Sequence, residues 1–196
     1  HLVIRRQRQM CIRDRPAIDT QVEIRDENDN PLPIGEIGQI CAKGPQIMKG
    51  YWNKKEESEK ALKGGWMHTG DAGRMDEEGF VFIQDRIKDM IVSGGENIYS
   101  TEVEAALFAH PDVVDAAVIG VPDEKYGEVV KACIVKKEGS NVTEDDLISF
   151  CKDRIASYKK PQSVDFIDEV PRNASGKVLK KVLREPYWKD QERQVS

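Results

Sequence analysis

The first part of the chain alternates short apolar runs with turn residues. Period-two alternation bounded by Gly, Pro, Asn or Asp predicts strands at residues 21–25, 38–43 and 80–84. A polar, lysine-rich stretch at residues 54–62, closed by Gly64 and Gly65, predicts one helix. Three short strands and one polar helix bury little apolar surface, so we expect this part to belong to something larger.

After Arg86 the pattern becomes a mixture of apolar strands and helices. It predicts strands at residues 90–92, 113–121, 129–136 and 163–167. A capping box of Thr101 and Glu104 predicts a helix start, and the apolar face of that helix comprises Val103, Ala106 and Leu107. Thr143 is predicted to cap a second helix, whose apolar face comprises Leu147, Ile148, Cys151 and Ile155.

These patterns predict an α+β chain in three parts. Residues 86–196 form a small C-terminal domain, in which we expect a three-stranded sheet with flanking helices. Residues 16–85 form a β-rich segment that is incomplete by itself. Residues 1–15 carry five arginines and one aspartate ahead of an acidic remainder, and they lack the apolar run of a secretory signal. We leave them unassigned, as a non-native leader.

Composition and charge exclude several classes of protein. The 30 Lys and Arg residues against 35 Asp and Glu residues give a net charge of −5, which does not suit a non-specific nucleic-acid binder. No apolar run approaches the roughly 18 residues of a membrane helix, so we expect a soluble chain without a transmembrane segment. Membrane-surface attachment stays open for a longer protein.

The four cysteines indicate a reducing compartment. Cys11, Cys41, Cys133 and Cys151 form no CxxC pair and no cluster with histidine along the sequence. Cys133 and Cys151 lie in apolar segments and are interpreted as reduced, buried residues. We therefore expect no metal site and a cytoplasmic location.

Three features in the middle of the chain are candidates for ligand binding. Asp71 follows a glycine in WMHTGD, a pattern that fits a turn-forming aspartate as well as a carboxylate that binds the two hydroxyls of a ribose. Residues 85–89, DRIKD, form a charged joint between two strands, which a solvated loop also explains. Gly94 and Gly95 either make a hairpin turn or let an anion or a narrow ligand approach the backbone.

Two further features lie near the C-terminus. Residues 171–177, PRNASGK, end in a lysine on a mobile loop of small residues, which can reach a phosphate or a carboxylate; an ordinary surface lysine is the alternative. A P-loop is rejected, because GxxxxGK[ST] does not allow Pro171 and Val178 at its ends. Residues 159–184 carry seven basic and three acidic side chains, which suits a phosphorylated ligand or a solvated surface.

All five features occur together, in this order, in the adenylate-forming enzymes. From residue 16 to residue 184 the chain resembles the C-terminal third of that AMP-binding superfamily. The resemblance is carried by GEIGQICAKGPQIMKGYWN at 35–53, GGWMHTGDAG at 64–73, DRIKDMIVSGGENIYSTEVE at 85–104 and PRNASGKVLK at 171–180. GGENIY followed by STEVE, with HPDVVDAAVIGVPDEKYGE at 110–128, is most similar to acyl-CoA synthetases for fatty and related acids.

The resemblance implies a two-step reaction. A carboxylic acid attacks ATP, assisted by Mg²⁺, to give acyl-adenylate and pyrophosphate, and the thiol of coenzyme A (CoA) then takes the acyl group and releases AMP. Asp71 matches an aspartate that binds both ribose hydroxyls, and Arg86 matches an arginine that reaches the ribose and the phosphates. Lys177 matches the catalytic lysine that bridges the substrate carboxylate and the α-phosphate.

The resemblance also implies a hinge and a CoA tunnel. Lys88 matches the hinge about which the small, mobile C-terminal domain rotates between the two steps. Gly94 and Gly95 match the loop that lines the CoA tunnel. The family's phosphate loop, its adenine- and Mg²⁺-binding segment and its acyl pocket are absent from these 196 residues. We therefore expect a fragment of an acyl-CoA ligase that is inactive alone, with residues 16–85 ending a large N-terminal domain that is otherwise missing.

Three alternatives remain open from the sequence. One is a different adenylating enzyme, which delivers its acyl group to a carrier protein. Another is a non-catalytic module that binds a nucleotide or CoA through the small domain. The third is a truncated reading of a longer gene.

Overall fold

The described residues divide into two compact units. The computed structural model describes residues 13–189, and the division falls between Ile87 and Lys88. A single turn of 3-10 helix, Ile87–Asp89, spans this point. The expected boundary, between residues 85 and 86, lies two residues earlier. Cys11 and most of the expected leader lie outside the described residues.

The first unit is built on an antiparallel sheet. Within the described residues this sheet has five strands, β1 (Arg13–Asp14), β2 (Gln21–Arg25), β3 (Gly38–Lys43), β4 (Met67–Met75) and β5 (Val81–Arg86). Their order is β1-β5-β4-β3-β2. A short polar helix, α1 (Lys55–Ala61), lies between β3 and β4 along the chain. The strands at residues 21–25 and 38–43 and the helix confirm the sequence pattern.

The sequence pattern missed β4, which lies at the centre of this sheet. Its polar and glycine residues hide the alternation that indicates a strand. Gly73 allows close strand packing, since a Cβ there would lie 2.5 Å from the carbonyl oxygen of Phe82. Arg13–Asp14 also pairs with β5, ahead of residue 16, where the β-rich segment was expected to start. Two polar residues on an edge strand carry no hydrophobic signal.

The second unit contains a sheet of five described strands, where three were expected. They are β6 (Ile91–Ser93), β7 (Glu96–Ile98), β8 (Val113–Asp123), β9 (Gly127–Lys136) and β10 (Ser163–Phe166). Central β9 pairs antiparallel with β8 and β6 and parallel with β10, and β7 pairs with β6. The extra strands include β7, which is three residues long. The α+β class is confirmed.

Helices cover the sheet and confirm most of the predicted apolar faces. They are α2 (Ser100–Phe108), α3 (Glu144–Lys152) and the short α4 (Lys180–Arg184). Ile148 and Ile155, which were also predicted, are partly buried and pack against the main core. The other predicted residues of α2 and α3 are buried in that core: Val103, Ala106, Leu107, Leu147 and Cys151. A smaller cluster contains Ile119, Val121 and Cys133, with Leu183 and Tyr187 packed against it.

One predicted cap is confirmed and the other is wrong. The Thr143 hydroxyl oxygen accepts a hydrogen bond from the Asp146 backbone N–H, and the Asp146 carboxylate accepts one from the Thr143 N–H. Thr101 is not the N-cap residue that the predicted box requires, because α2 begins at Ser100 with Tyr99 as its N-cap residue. Glu104 is used instead to accept a hydrogen bond from the Val118 N–H at 2.9 Å.

Candidate functional site

Asp71 and Arg86 face each other across neighbouring strands. They are register partners on β4 and β5, and Arg86 Nε lies 3.5 Å from Asp71 Oδ1. Their side chains keep 31% and 45% of their surface exposed, so both can contact a ligand. The turn interpretation of Asp71 is wrong, because this residue lies inside β4. The pair presents a carboxylate that can accept hydrogen bonds beside a guanidinium that can donate them.

Hydrogen bonds from neighbouring residues hold the backbone around Asp71 and Arg86. The Asp71 N–H donates to the Thr69 hydroxyl oxygen at 3.1 Å, and that hydroxyl donates to the carbonyl of Ile40 at 2.8 Å. Next to Arg86, the Asp85 carboxylate is buried, with 4% exposure, and accepts the Arg86 N–H at 2.8 Å. The sequence showed Asp85 only as part of a charged joint, since its burial depends on tertiary packing.

Lys88 and Asp89, the two joint residues that belong to the second unit, are bound by Arg184 at the end of α4. Arg184 donates to the Lys88 carbonyl at 2.9 Å and forms an ion pair with the Asp89 carboxylate. The Lys88 side chain itself is exposed. Arg184 was not among the predicted site residues, because more than 90 positions separate it from its partners and no local motif marks it.

Gly94 and Gly95 form the tip of the hairpin between β6 and β7. Their φ angles of 59° and 87° are of the sign that a tight hairpin turn requires at both central positions. The hairpin interpretation is therefore confirmed. The Gly94 N–H donates to the carbonyl of Tyr126 at 2.9 Å, and a Cβ on Gly94 would lie 3.2 Å from Tyr126 Cδ1. Tyr126, which the sequence did not indicate, is thus part of the surface at this tip.

Lys177 lies at the end of a hydrogen-bonded turn. Asn173 Oδ1 accepts from the N–H and hydroxyl of Ser175 and from the N–H of Lys177, at 3.1, 2.8 and 2.8 Å. The Asn173 N–H donates to the carbonyl of Lys177 at 2.9 Å, and Gly176 takes a φ of 80°. The Lys177 side chain is exposed. This loop therefore has more internal structure than its small residues suggest.

A group of possible metal ligands occurs in the first unit. One ligand atom each of Asp29, Cys41 and His68 lies within 4.8 Å of the others. However, Asp29 is paired with Arg25 at 3.2 Å, and burial raises the pKa of the Cys41 thiol to about 11. A guanidinium beside the carboxylate and a protonated thiol both oppose cation binding. The group is explained as a hydrogen-bonded network, in which His68 Nδ1 lies 2.7 Å from the side-chain oxygen of Gln39.

The remaining described cysteines are poor nucleophiles. Burial raises the pKa of Cys133 and of Cys151 to about 11. Both are unpaired, as is Cys41. They fill the core, as the sequence analysis expected for Cys133 and Cys151. Among residues 13–189, no helix is long and apolar enough to cross a membrane.

Comparison with known proteins finds two matching family profiles. The profile described as "AMP-binding enzyme" matches residues 5–52, and that described as "AMP-binding enzyme C-terminal domain" matches residues 102–177. The first match begins within the segment that the sequence analysis left unassigned. The two profiles follow each other in chain order.

Individual relatives extend this similarity along the chain. A feruloyl-CoA synthase from an Amycolatopsis species is 45% identical over 172 residues, which cover 88% of this chain and 35% of the relative. A long-chain-fatty-acid–CoA ligase from Escherichia coli O6:H1 is 44% identical over 170 residues, 87% of this chain and 30% of the relative. The chain thus spans about a third of the length of these relatives.

A solved structure shows the same similarity in the backbone. ATP-bound MatB from Rhodopseudomonas palustris superposes with a TM-score of 0.85 and 38% sequence identity. The match covers 91% of this chain and 36% of MatB. The fold of both units therefore recurs in an ATP-binding protein.

Proposed function

Because the chain belongs to the AMP-binding family of adenylate-forming enzymes, we propose that it serves an ATP-dependent ligase that joins a carboxylic acid to CoA. The observation that carries this proposal is the match of 91% of the chain to ATP-bound MatB. The two CoA-ligase relatives support the choice of CoA as acceptor. A fatty acid is the proposed substrate, on the strength of the motifs at residues 94–104 and 110–128; the feruloyl-CoA relative makes an aromatic acid the alternative.

In the proposed first step, a carboxylate oxygen attacks the α-phosphorus of ATP. The bond from this phosphorus to the bridging oxygen breaks, and pyrophosphate leaves with the electron pair. Lys177 supplies a positive charge between the two reacting anions, which lowers the cost of bringing them together. Its exposed ammonium group, on a turn with a fixed backbone, suits that role.

Asp71 and Arg86 are proposed to hold the nucleotide. A carboxylate accepts two hydrogen bonds at once, so Asp71 can bind both hydroxyls of a ribose. Arg86, 3.5 Å away, offers further donors to the ribose or the phosphates. Both side chains are partly exposed and held on neighbouring strands, which limits the entropy lost on binding.

In the proposed second step, the CoA thiol releases its proton to solvent and its sulfur attacks the acyl carbon. The bond from this carbon to the phosphate oxygen breaks, and AMP leaves with the electron pair. We assign Gly94 and Gly95 to the passage of the CoA arm, because these two exposed residues at the hairpin tip carry no side chains of their own. Lys88 is the proposed hinge. It is exposed and lies in the single helical turn at which the chain divides into two units.

The family also uses Mg²⁺, which prefers a set of oxygen ligands. The group of Asp29, Cys41 and His68 offers a thiol and an imidazole, and the Asp71 carboxylate is paired with Arg86. These residues do not fit Mg²⁺. Three unpaired thiols support the proposed cytoplasmic location. We propose that these 196 residues alone lack ligase activity.

The test uses a chimera in which residues 16–196 replace the aligned part of the Amycolatopsis relative. Adenylation is measured as pyrophosphate release, and thioester formation is measured from supplied acyl-adenylate. Lys177→Ala should slow adenylation by about 10²- to 10³-fold, because a charge-stabilising donor is lost. Thioester formation should stay within about threefold, since it does not build that charge.

Lys181→Ala is the matched control, because it removes a neighbouring exposed lysine and should leave both steps unchanged. Equal loss of both half-reactions in Lys177→Ala would contradict the proposed role. An unmodified chimera without adenylation, made from a relative that is active by itself, would contradict the proposed function.

A further inference from the structure

Arg172 connects the turn that carries Lys177 to the central sheet of its unit. Its Nη2 atom lies 2.9 and 2.8 Å from the two carboxylate oxygens of Asp115 on β8. Its Nη1 atom donates to the carbonyl of Gly176 at 3.0 Å. One guanidinium therefore binds a strand and the residue directly before Lys177. Only a planar, forked cation can make these bonds together, which lysine cannot do.

The inside of the turn is filled by Asn173. Its side-chain oxygen accepts three hydrogen bonds, of which one comes from the Lys177 N–H. Arg172 and Val178 also pair across the base of the turn. The backbone that precedes the Lys177 side chain is thus held on both sides.

The chain is anchored again just after the turn. The Lys180 ammonium lies 2.8 Å from Glu104 Oε1 and also donates to the Ser100 hydroxyl oxygen. The same Glu104 oxygen accepts the Val118 N–H of β8. Arg172 therefore binds β8 directly at Asp115, and Lys180 is connected to β8 at Val118 through Glu104. Anchors on both sides restrict the positions that Lys177 can reach.

We propose that Arg172 is a positioning residue for the adenylation step, because it fixes the backbone from which Lys177 projects. This inference rests on the proposed function of Lys177. Without the Arg172 guanidinium, the Gly176 carbonyl loses its hydrogen-bond donor and the turn samples more conformations. A displaced lysine neutralises the reacting anions less well, although the enzyme still binds ATP.

The first experiment uses the 196-residue chain as it is. Backbone amide exchange of Lys177 is measured by NMR in Arg172→Ala and Arg172→Lys, with Arg154→Ala as control. Arg154 is an exposed arginine that also donates to a backbone carbonyl, that of Phe150, at 3.1 Å. We expect the Lys177 amide to exchange about tenfold faster in both Arg172 variants and at the original rate in Arg154→Ala. The core amide of Ile134 should be unchanged in all three.

Asp115→Asn is a second variant that keeps the size of the side chain. It should speed Lys177 exchange to a similar degree, and the double variant Asp115→Asn/Arg172→Lys should add little. The proposal is overturned by unchanged Lys177 exchange. It is also overturned by faster exchange of the Ile134 amide to the same extent, because that result would indicate a general loss of stability.

The second experiment separates this proposal from the proposed function. In the chimera, Arg172→Ala should lower the adenylation kcat by about 10- to 100-fold, with the KM for ATP and the thioester step within about threefold. If Lys177→Ala slows adenylation and Arg172→Ala does not, only the positioning role fails. If Lys177→Ala has no effect on adenylation, the role of Lys177 fails and the positioning role fails with it.

Discussion

The ion pair of Lys180 and Glu104 gives the sharpest prediction for stability. The two side chains are 10% and 13% exposed, and their charged atoms lie 2.8 Å apart. At an effective dielectric constant of about 20, this separation corresponds to an attraction of about 6 kcal/mol, most of which offsets the cost of removing both charges from water. In Lys180→Met, the buried Glu104 carboxylate loses this neighbouring positive charge. Lys180→Met should therefore lower the free energy of unfolding by about 3 kcal/mol.

The second partner should be less costly to change. In Glu104→Gln, the amide oxygen can still accept the Val118 N–H, and Lys180 keeps the Ser100 hydroxyl. We expect a loss of about 2 kcal/mol. The double variant removes both charges, so its loss should be smaller than the sum of the single losses by about 1–3 kcal/mol.

Pulse alkylation of Cys151 across a denaturant series measures these losses. This thiol is buried in the second unit and is protected until that unit unfolds. Lys181→Met, which changes an exposed lysine on the same helix, serves as control and should cost under about 0.5 kcal/mol. Additive losses, or a Lys180→Met loss as small as that of the control, would refute the buried-pair argument.

Three further predictions concern local structure. Thr143→Ala should cost about 1 kcal/mol in chemical denaturation, because the start of α3 loses its side-chain cap. Gly73→Ala should cost more, about 1–3 kcal/mol by the same assay, since its methyl group would meet the Phe82 carbonyl at 2.5 Å. Burial raises the pKa of Asp165, but hydrogen bonds from Lys131 and Tyr187 and the charge of Lys131 outweigh this and lower the pKa below its ordinary value. The wild-type chain should therefore lose stability more steeply than Asp165→Asn as pH falls below about 4, measured by denaturation at each pH.

The sequence predicted those elements whose apolar residues follow one regular period. The helices α2 and α3 and the long strands β8 and β9 are of this kind, and their buried faces match the pattern. The sequence pattern missed strands that are defined by backbone hydrogen bonding and not by a regular apolar period. β4 contains Gly70 and Gly73, and β7 has three residues, so neither shows a clear alternation.

The site residues also fall into those that the sequence identified and those that only the structure revealed. Asp71, Arg86 and Lys177 lie in contiguous motifs, so a family resemblance was enough to select them. Arg172 and Arg184 lie within or near such a motif, but their partners are 57 and 95 positions away. Only the folded chain brings these groups together, and a single sequence does not contain that information.

The anchors around Lys177 also bear on how a hinge can deliver a catalytic lysine. If rotation occurs at Lys88, the whole second unit changes its orientation, and the Lys177 turn needs no mobility of its own. A rigid turn is then the better arrangement, because every conformation lost in advance reduces the entropy cost at the reacting centre. The bonds of Arg172 to Asp115 on β8 and of Lys180 to Glu104 on α2 restrain the turn in this way. Arg184 also restrains the proposed hinge, since it joins the end of α4 to the Lys88 carbonyl and the Asp89 carboxylate. Motion would thus be confined to the few backbone bonds before the Lys88 carbonyl, with Lys177 held in a fixed frame.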